Sequence, residues 1–111
     1  MSPNFSLDVA RTEASAIVTV SGELDMRTGP WLAEELRRQQ RCGLPVILDL
    51  ERVEFMDCSS LRVLVSASEA SEPRLRVTPG SEQVRKLLAL TGVDSLLQFV
   101  PAPLNIVRDA A

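Results

Sequence analysis

Histidine and tyrosine are both missing from the 111 residues. Without histidine the chain cannot build a His-based general base, a Ser-His-Asp triad or the usual zinc site. Cysteine is scarce: Cys42 and Cys58 are too few for a disulfide framework and are not spaced as metal-ligand pairs. Lysine occurs once, as Lys86, and twelve basic against fifteen acidic residues leave a net charge of −3. Nucleic-acid modules normally carry a basic surface that neutralises phosphates, so direct nucleic-acid binding is not expected. No apolar run approaches the length of about 18 residues needed to span a membrane. The start, Met1-Ser2-Pro3-Asn4, lacks the basic and apolar regions of a signal peptide, so the expected location is the cytoplasm. No P-loop motif is present, and no cofactor is implied. What remains is ordinary: 45% hydrophobic and 24% charged residues describe one globular domain. A chain this size hides roughly 60–70% of its unfolded surface, enough for one core without disulfides or metal.

Phe5, Leu7 and Val9 alternate with polar residues, and Ile17 to Val20 are mostly β-branched, so residues 5–24 predict an antiparallel hairpin closed by Gly22-Glu23-Leu24-Asp25. Thr28 is placed to cap a first helix, with Pro30 in its first turn, Glu34 and Glu35 early, and Arg37, Arg38 and Arg41 late. Gly43 stops that helix and Pro45 follows. Val46 to Leu50 is nearly continuous apolar sequence, as in a strand covered on both faces, and Val53, Phe55 and Met56 extend it to Asp57. A second helix runs from Ser59 and fades by Ser71. Leu75 and Val77 form a short strand, and Ser81 caps a third helix that ends at Thr91-Gly92. Leu96 to Val100 reads as a last strand, and 104–110 as a short terminal helix. The expected order is β-β-α-β-α-β-α-β(-α): an α/β fold with a mixed, mostly parallel sheet of about five strands. The core spans 5–100, with 101–111 as a helix or tail.

The stretch Val46-Ile-Leu-Asp-Leu-Glu-Arg-Val-Glu-Phe-Met-Asp57-Cys-Ser-Ser-Leu61 resembles the signature of STAS domains, the bacterial anti-sigma factor antagonists and their relatives. Gly22-Glu23-Leu24-Asp25 is similar to that family's loop after the second strand. Ser81 to Leu90 with Thr91-Gly92-Val93 is similar to its third helix and the end of that helix. The three matches lie in register and cover about residues 5–100. The resemblance implies a non-enzymatic binding module. Such a module docks onto an anti-sigma factor that is also its serine kinase and so frees a sigma factor. It also implies that phosphorylation of the serine after the aspartate breaks the complex. Docking residues implied in this way are Glu23, Asp25, Asp57, Ser59, Ser60 and Arg62, with 58 and 59 as the switch positions.

Two departures stand at the centre of the motif. The residue after Asp57 is Cys58, whose thiol is not the substrate of a serine kinase, and the glycine expected two residues later is Ser60. Ser59 is the nearest hydroxyl, aimed differently in the turn, and is expected to be a poor phosphate acceptor. A strand ending at Asp57 and a helix starting near Ser59 put this turn at the carboxyl edge of the sheet, where open α/β folds place functional loops. Added phosphate there would bring roughly −1.5 to −2 charges beside Asp57 and oppose docking.

Plainer readings accompany each residue. Asp57 caps the second helix, and Glu23 and Asp25 form a solvated turn that also helps the first helix start. Trp31 packs on the core rim, and Arg37, Arg38 and Arg41 are balanced by Glu34 and Glu35. Cys58 reads as a small, partly buried stand-in for serine, because Asp57 opposes a second negative charge on a redox-active thiol. A Cys42–Cys58 bridge is not expected, because the intervening strand carries the two positions well beyond the roughly 7 Å reach between bridged Cα atoms. An alternative is a STAS scaffold subunit that needs no phosphorylation, such as the cytoplasmic component of a lipid-transport ABC system. An enzyme using the Cys58 thiol lacks any His or Cys-x-x-Cys partner. The oligomeric state stays open between monomer and weak dimer.

Overall fold

Alternation along the first two strands puts Phe5 and Leu7 on the same face as Val18 and Val20. A computed structural model describes residues 4–70 and 75–102 of the chain. Strands β1 (Phe5–Arg11) and β2 (Ala16–Leu24) pair antiparallel, from Phe5 opposite Gly22 to Arg11 opposite Ala16. Then follow α1 (Gly29–Arg41), β3 (Val46–Met56), α2 (Cys58–Ala70), β4 (Arg76–Val77) and α3 (Glu82–Leu90), with a 3₁₀ turn at Val93–Leu96. The sheet order is β1-β2-β3-β4, with β3 parallel to both β2 and β4. Right-handed crossovers that step always in one direction place every helix on one face. One core results: Leu32 and Leu36 of α1, Leu61 and Leu64 of α2, and Val84 and Leu88 of α3 join Val18, Val20, Leu48 and Leu50 of the sheet.

The central pair is not regular. Nine residues of β2 pair with eleven of β3, because the register slips between Thr19 and Ser21 and again between Gly22 and Glu23. Each slip is a bulge that flips which side chains face inward. Hence Val46, Leu48 and Leu50 are buried, then Val53, then Met56, while Phe55 is left 53% exposed. Gly22 sits at the second slip with φ +95, and a Cβ there would lie 1.7 Å from the backbone oxygen of Asn4. Glycine is therefore obligatory at this position.

Several expectations need correction. The fifth strand shrinks to a single bridge between Val77 and Phe99, framed by Val77 N–H to the Gln98 carbonyl (2.9 Å) and Val100 N–H to the Val77 carbonyl (3.0 Å). Upstream, the 3₁₀ turn consumes Leu96; downstream, Pro79 has no N–H to give the Val100 carbonyl. Among the described residues the sheet thus has four strands rather than about five. Glu34 and Glu35 lie beyond the first turn of α1, which holds no acid, although Arg38 and Arg41 do occupy its last turn. The helix expected at 104–110 lies outside the described residues. Ser81 does cap α3, its hydroxyl accepting from Val84 N–H at 3.2 Å. Trp31 packs at the rim as expected, with its ring 5.6 Å from that of Phe5.

Candidate protein-docking site

Two helices begin side by side at the carboxyl edge of β2 and β3. At the start of α1, Asp25 folds over its own turn: Oδ1 accepts the N–H groups of Arg27 (2.9 Å) and Thr28 (3.2 Å), and Oδ2 meets the Arg27 guanidinium at 3.2 Å. Thr28 occupies the cap position, but its hydroxyl does not serve the helix. It points inward, donating to the Glu23 carbonyl (3.0 Å) and accepting from Asp25 N–H (2.9 Å), and the residue is fully buried. The first free donor of α1, Gly29 N–H, is taken by the Asp25 carbonyl at 2.7 Å, and Pro30 has none to satisfy.

At the start of α2 the pattern differs. Asp57 Oδ1 accepts from Ser60 N–H (3.1 Å), the capping geometry expected of it, and from the Ser59 hydroxyl (2.7 Å). Ser60 shares its proton between the Leu24 carbonyl (2.7 Å) and Asp57 Oδ1 (3.0 Å). That same carbonyl takes Asp57 N–H at 3.2 Å, so the two junctions are tied through Leu24. The Met26 N–H also faces the Asp57 carboxylate. Partial burial pushes the Asp57 carboxyl up. The Ser59 and Ser60 hydroxyls, with the Ser60 and Met26 N–H groups, outweigh it and hold the carboxyl below its ordinary range. Asp25 is likewise lowered: partial loss of water opposes, and the Arg27 and Thr28 N–H groups and the Arg27 guanidinium prevail.

The sequence-derived candidates therefore separate. Cys58 and Ser59 are exposed, and Asp57 and Asp25 are half-buried. Arg62 stands exposed one turn along α2, and Glu23 lies beside Phe55 on the neighbouring strand. Ser60 is the exception: it is fully buried and its hydroxyl is spent inside, so it supports the turn rather than touching a partner. It also accepts the extra Cβ without strain because it sits in the first turn of a helix. Cys58 is not partly buried as expected but out in solvent, and both thiols are free.

Two residues escaped the sequence reading. Met26 is 74% exposed and Phe55 53%, and these large apolar side chains flank the acidic turn. Met26 breaks no periodic pattern because it sits in a turn, and Phe55 faces out through a register slip that composition does not signal. Beside Ser59, a hollow of about 360 Å³ opens between Met26, Ala33 and Val63. Among the described residues no cluster of three or more His, Cys, Asp or Glu is placed to hold a metal ion, and no helix is long and apolar enough to cross a membrane.

The model of the STAS domain matches residues 6–105. The chain is 27% identical over 99 residues to the anti-sigma-B factor antagonist of Bacillus subtilis (strain 168), covering 86% of this chain and 91% of that protein. It is 28% identical over 98 residues to the protein of the same name from Staphylococcus aureus (strain NCTC 8325 / PS 47), covering 85% and 91%. The crystal structure of an anti-sigma factor antagonist from Mycobacterium paratuberculosis superposes with a TM-score of 0.82 at 25% identity, covering 97% of this chain and 96% of that one. With the signature loop, the sheet order and the matched span all in agreement, the chain belongs to the STAS domain family.

Proposed function

We propose that this chain is an antagonist-type binding module. It docks its 57–59 turn and the start of α2 onto an anti-sigma factor of serine-kinase fold in the cytoplasm and thereby frees a sigma factor. The observation that carries the reading is the exposed Cys58-Ser59 pair on the first turn of α2, beside a carboxylate and an exposed methionine. The names of the similar proteins support the class of partner. Glu23, Asp25 and Asp57 supply an acidic rim, and Met26 and Phe55 supply apolar contact, the combination of charged rim and apolar centre that stable interfaces use. Cys58 occupies the position where the family carries its phosphorylated serine. Docking then persists where a serine-bearing relative would be switched off, because the thiol cannot take the phosphoryl group. Ser59 does not replace it: its hydroxyl is held by Asp57, whose charge repels a second anion.

Binding of the purified protein to serine-kinase-type anti-sigma factors encoded in its own genome, followed by calorimetry, tests this. Wild type and Cys58→Ser should bind alike, and Cys58→Asp should bind at least about tenfold more weakly through repulsion and desolvation. Incubation with kinase and ATP should leave wild type at its original intact mass while Cys58→Ser gains one phosphoryl group. No binding to any candidate, or stoichiometric modification of Ser59, overturns the reading. Because a thiol at 58 also suits a subunit that is never phosphorylated, binding to permease-associated ATPase components instead would favour the scaffold role.

A further inference from the structure

The hollow beside Ser59 does not end there. It runs on between α1 and α2 into a second space of about 320 Å³, with Ala33, Val63 and Arg37 lining both. From Gly29 to Gln40 the groove extends roughly 16 Å at 1.5 Å per helical residue. Its far end is closed by Gln40, whose side-chain amide donates to the Ala67 carbonyl at 3.1 Å. The floor is apolar, made by Leu36, Ala33, Val63 and Ala67, and the cations on its walls are Arg37 and Arg62. Arg37 is engaged at its outer edge by Glu34 at 2.9 Å, whereas Arg62 enters no ion pair among the described residues. The one carboxylate lining the near end, Asp25, keeps its charge but is offset there by the Arg27 guanidinium at 3.2 Å. The groove is therefore positive, while the turn it adjoins is negative.

Resting on the docking reading above, we propose that this groove receives an amphipathic helix of the partner, one that sets aliphatic side chains on the Ala33–Val63 floor and acidic side chains against Arg37 and Arg62. Two facts select that occupant. Both walls are helices, which present no row of free backbone groups as a strand edge does, so the groove favours a segment that satisfies its own backbone. The charge on the walls then selects acid over base. Continuity with the 57–59 turn lets one partner surface engage both regions, basic where it meets Asp25 and Asp57 and acidic where it meets the groove.

The test uses the anti-sigma factor that binds wild type in the assay described above. Charge reversal by Arg37→Glu with Arg62→Glu should weaken binding by about tenfold or more, while Arg85→Glu on the distant α3 should stay within about twofold. Filling the floor with Ala33→Phe should weaken binding similarly, with thermal unfolding checking that the fold persists. On adding the wild-type partner, the methyl resonances of Ala33, Val63 and Ala67 should shift. Wild-type binding that survives the double arginine reversal, with those methyls unmoved, overturns the groove assignment alone. Failure of wild type to bind any candidate overturns the docking reading and this inference with it.

Discussion

The two helix starts at the carboxyl edge use the same residue types to opposite ends. At α1, an aspartate and a hydroxyl close on themselves: Asp25 bonds its own turn, and Thr28 is buried with both hydroxyl contacts satisfied inside. At α2, an aspartate with two hydroxyls and a thiol divides its labour. Ser60 is turned into the protein, and Cys58 and Ser59 are turned out. An Asp–hydroxyl pair thus says little by itself about function; what matters is which polar groups remain in contact with water once the backbone has been served.

Substitutions sharpen that contrast in graded fashion. Thr28→Val should cost the most, about 2 kcal/mol, because it leaves the buried Asp25 N–H and Glu23 carbonyl short of partners; chemical denaturation reads it, and a loss under 0.5 kcal/mol would erase the distinction. Asp57→Ala removes a helix cap and should cost about 1 kcal/mol by the same measurement. Ser60→Ala should fall near that value, since the Leu24 carbonyl keeps its bond from Asp57 N–H. Cys58→Ser and Ser59→Ala should lie within about 0.5 kcal/mol of wild type, as exposed positions do.

Acid titration probes the two carboxylates together. Both Asp25 and Asp57 are held below the ordinary carboxylate range in the folded state. Their stabilisation is therefore complete above the unfolded value of about 3.9 and is lost as pH falls through the lower folded values. Asp57→Asn should make the acid limb of stability against pH shallower below about pH 4, with little change in its slope at neutral pH. An unchanged limb would mean that the turn does not hold the charge of Asp57.

Much of the fold could be read from residue order. Alternation marked β1 and β2, the Ser81 and Gly43 signals bounded helices, and the continuous apolar run at 46–50 marked the central strand. The family followed from three short stretches in register, and the matched span agrees. What escaped depended on contacts distant in sequence. The last strand failed because the turn at Val93–Leu96 and the proline at 79 cap the ladder from both sides. The outward Phe55 came from pairing slips between β2 and β3, and the inward Thr28 and Ser60 from acceptors on β2 and its loop. Exposure of Cys58, the key to the site, is likewise a property of how the helix meets the strand.

Leu24 offers one oxygen to two donors from the far side of the junction. That shared acceptor ties the two loops together within the folded chain. On the proposed docking reading, an incoming protein would meet contact points already aligned and lose little to immobilising them, so the entropy of association would fall chiefly on the visitor.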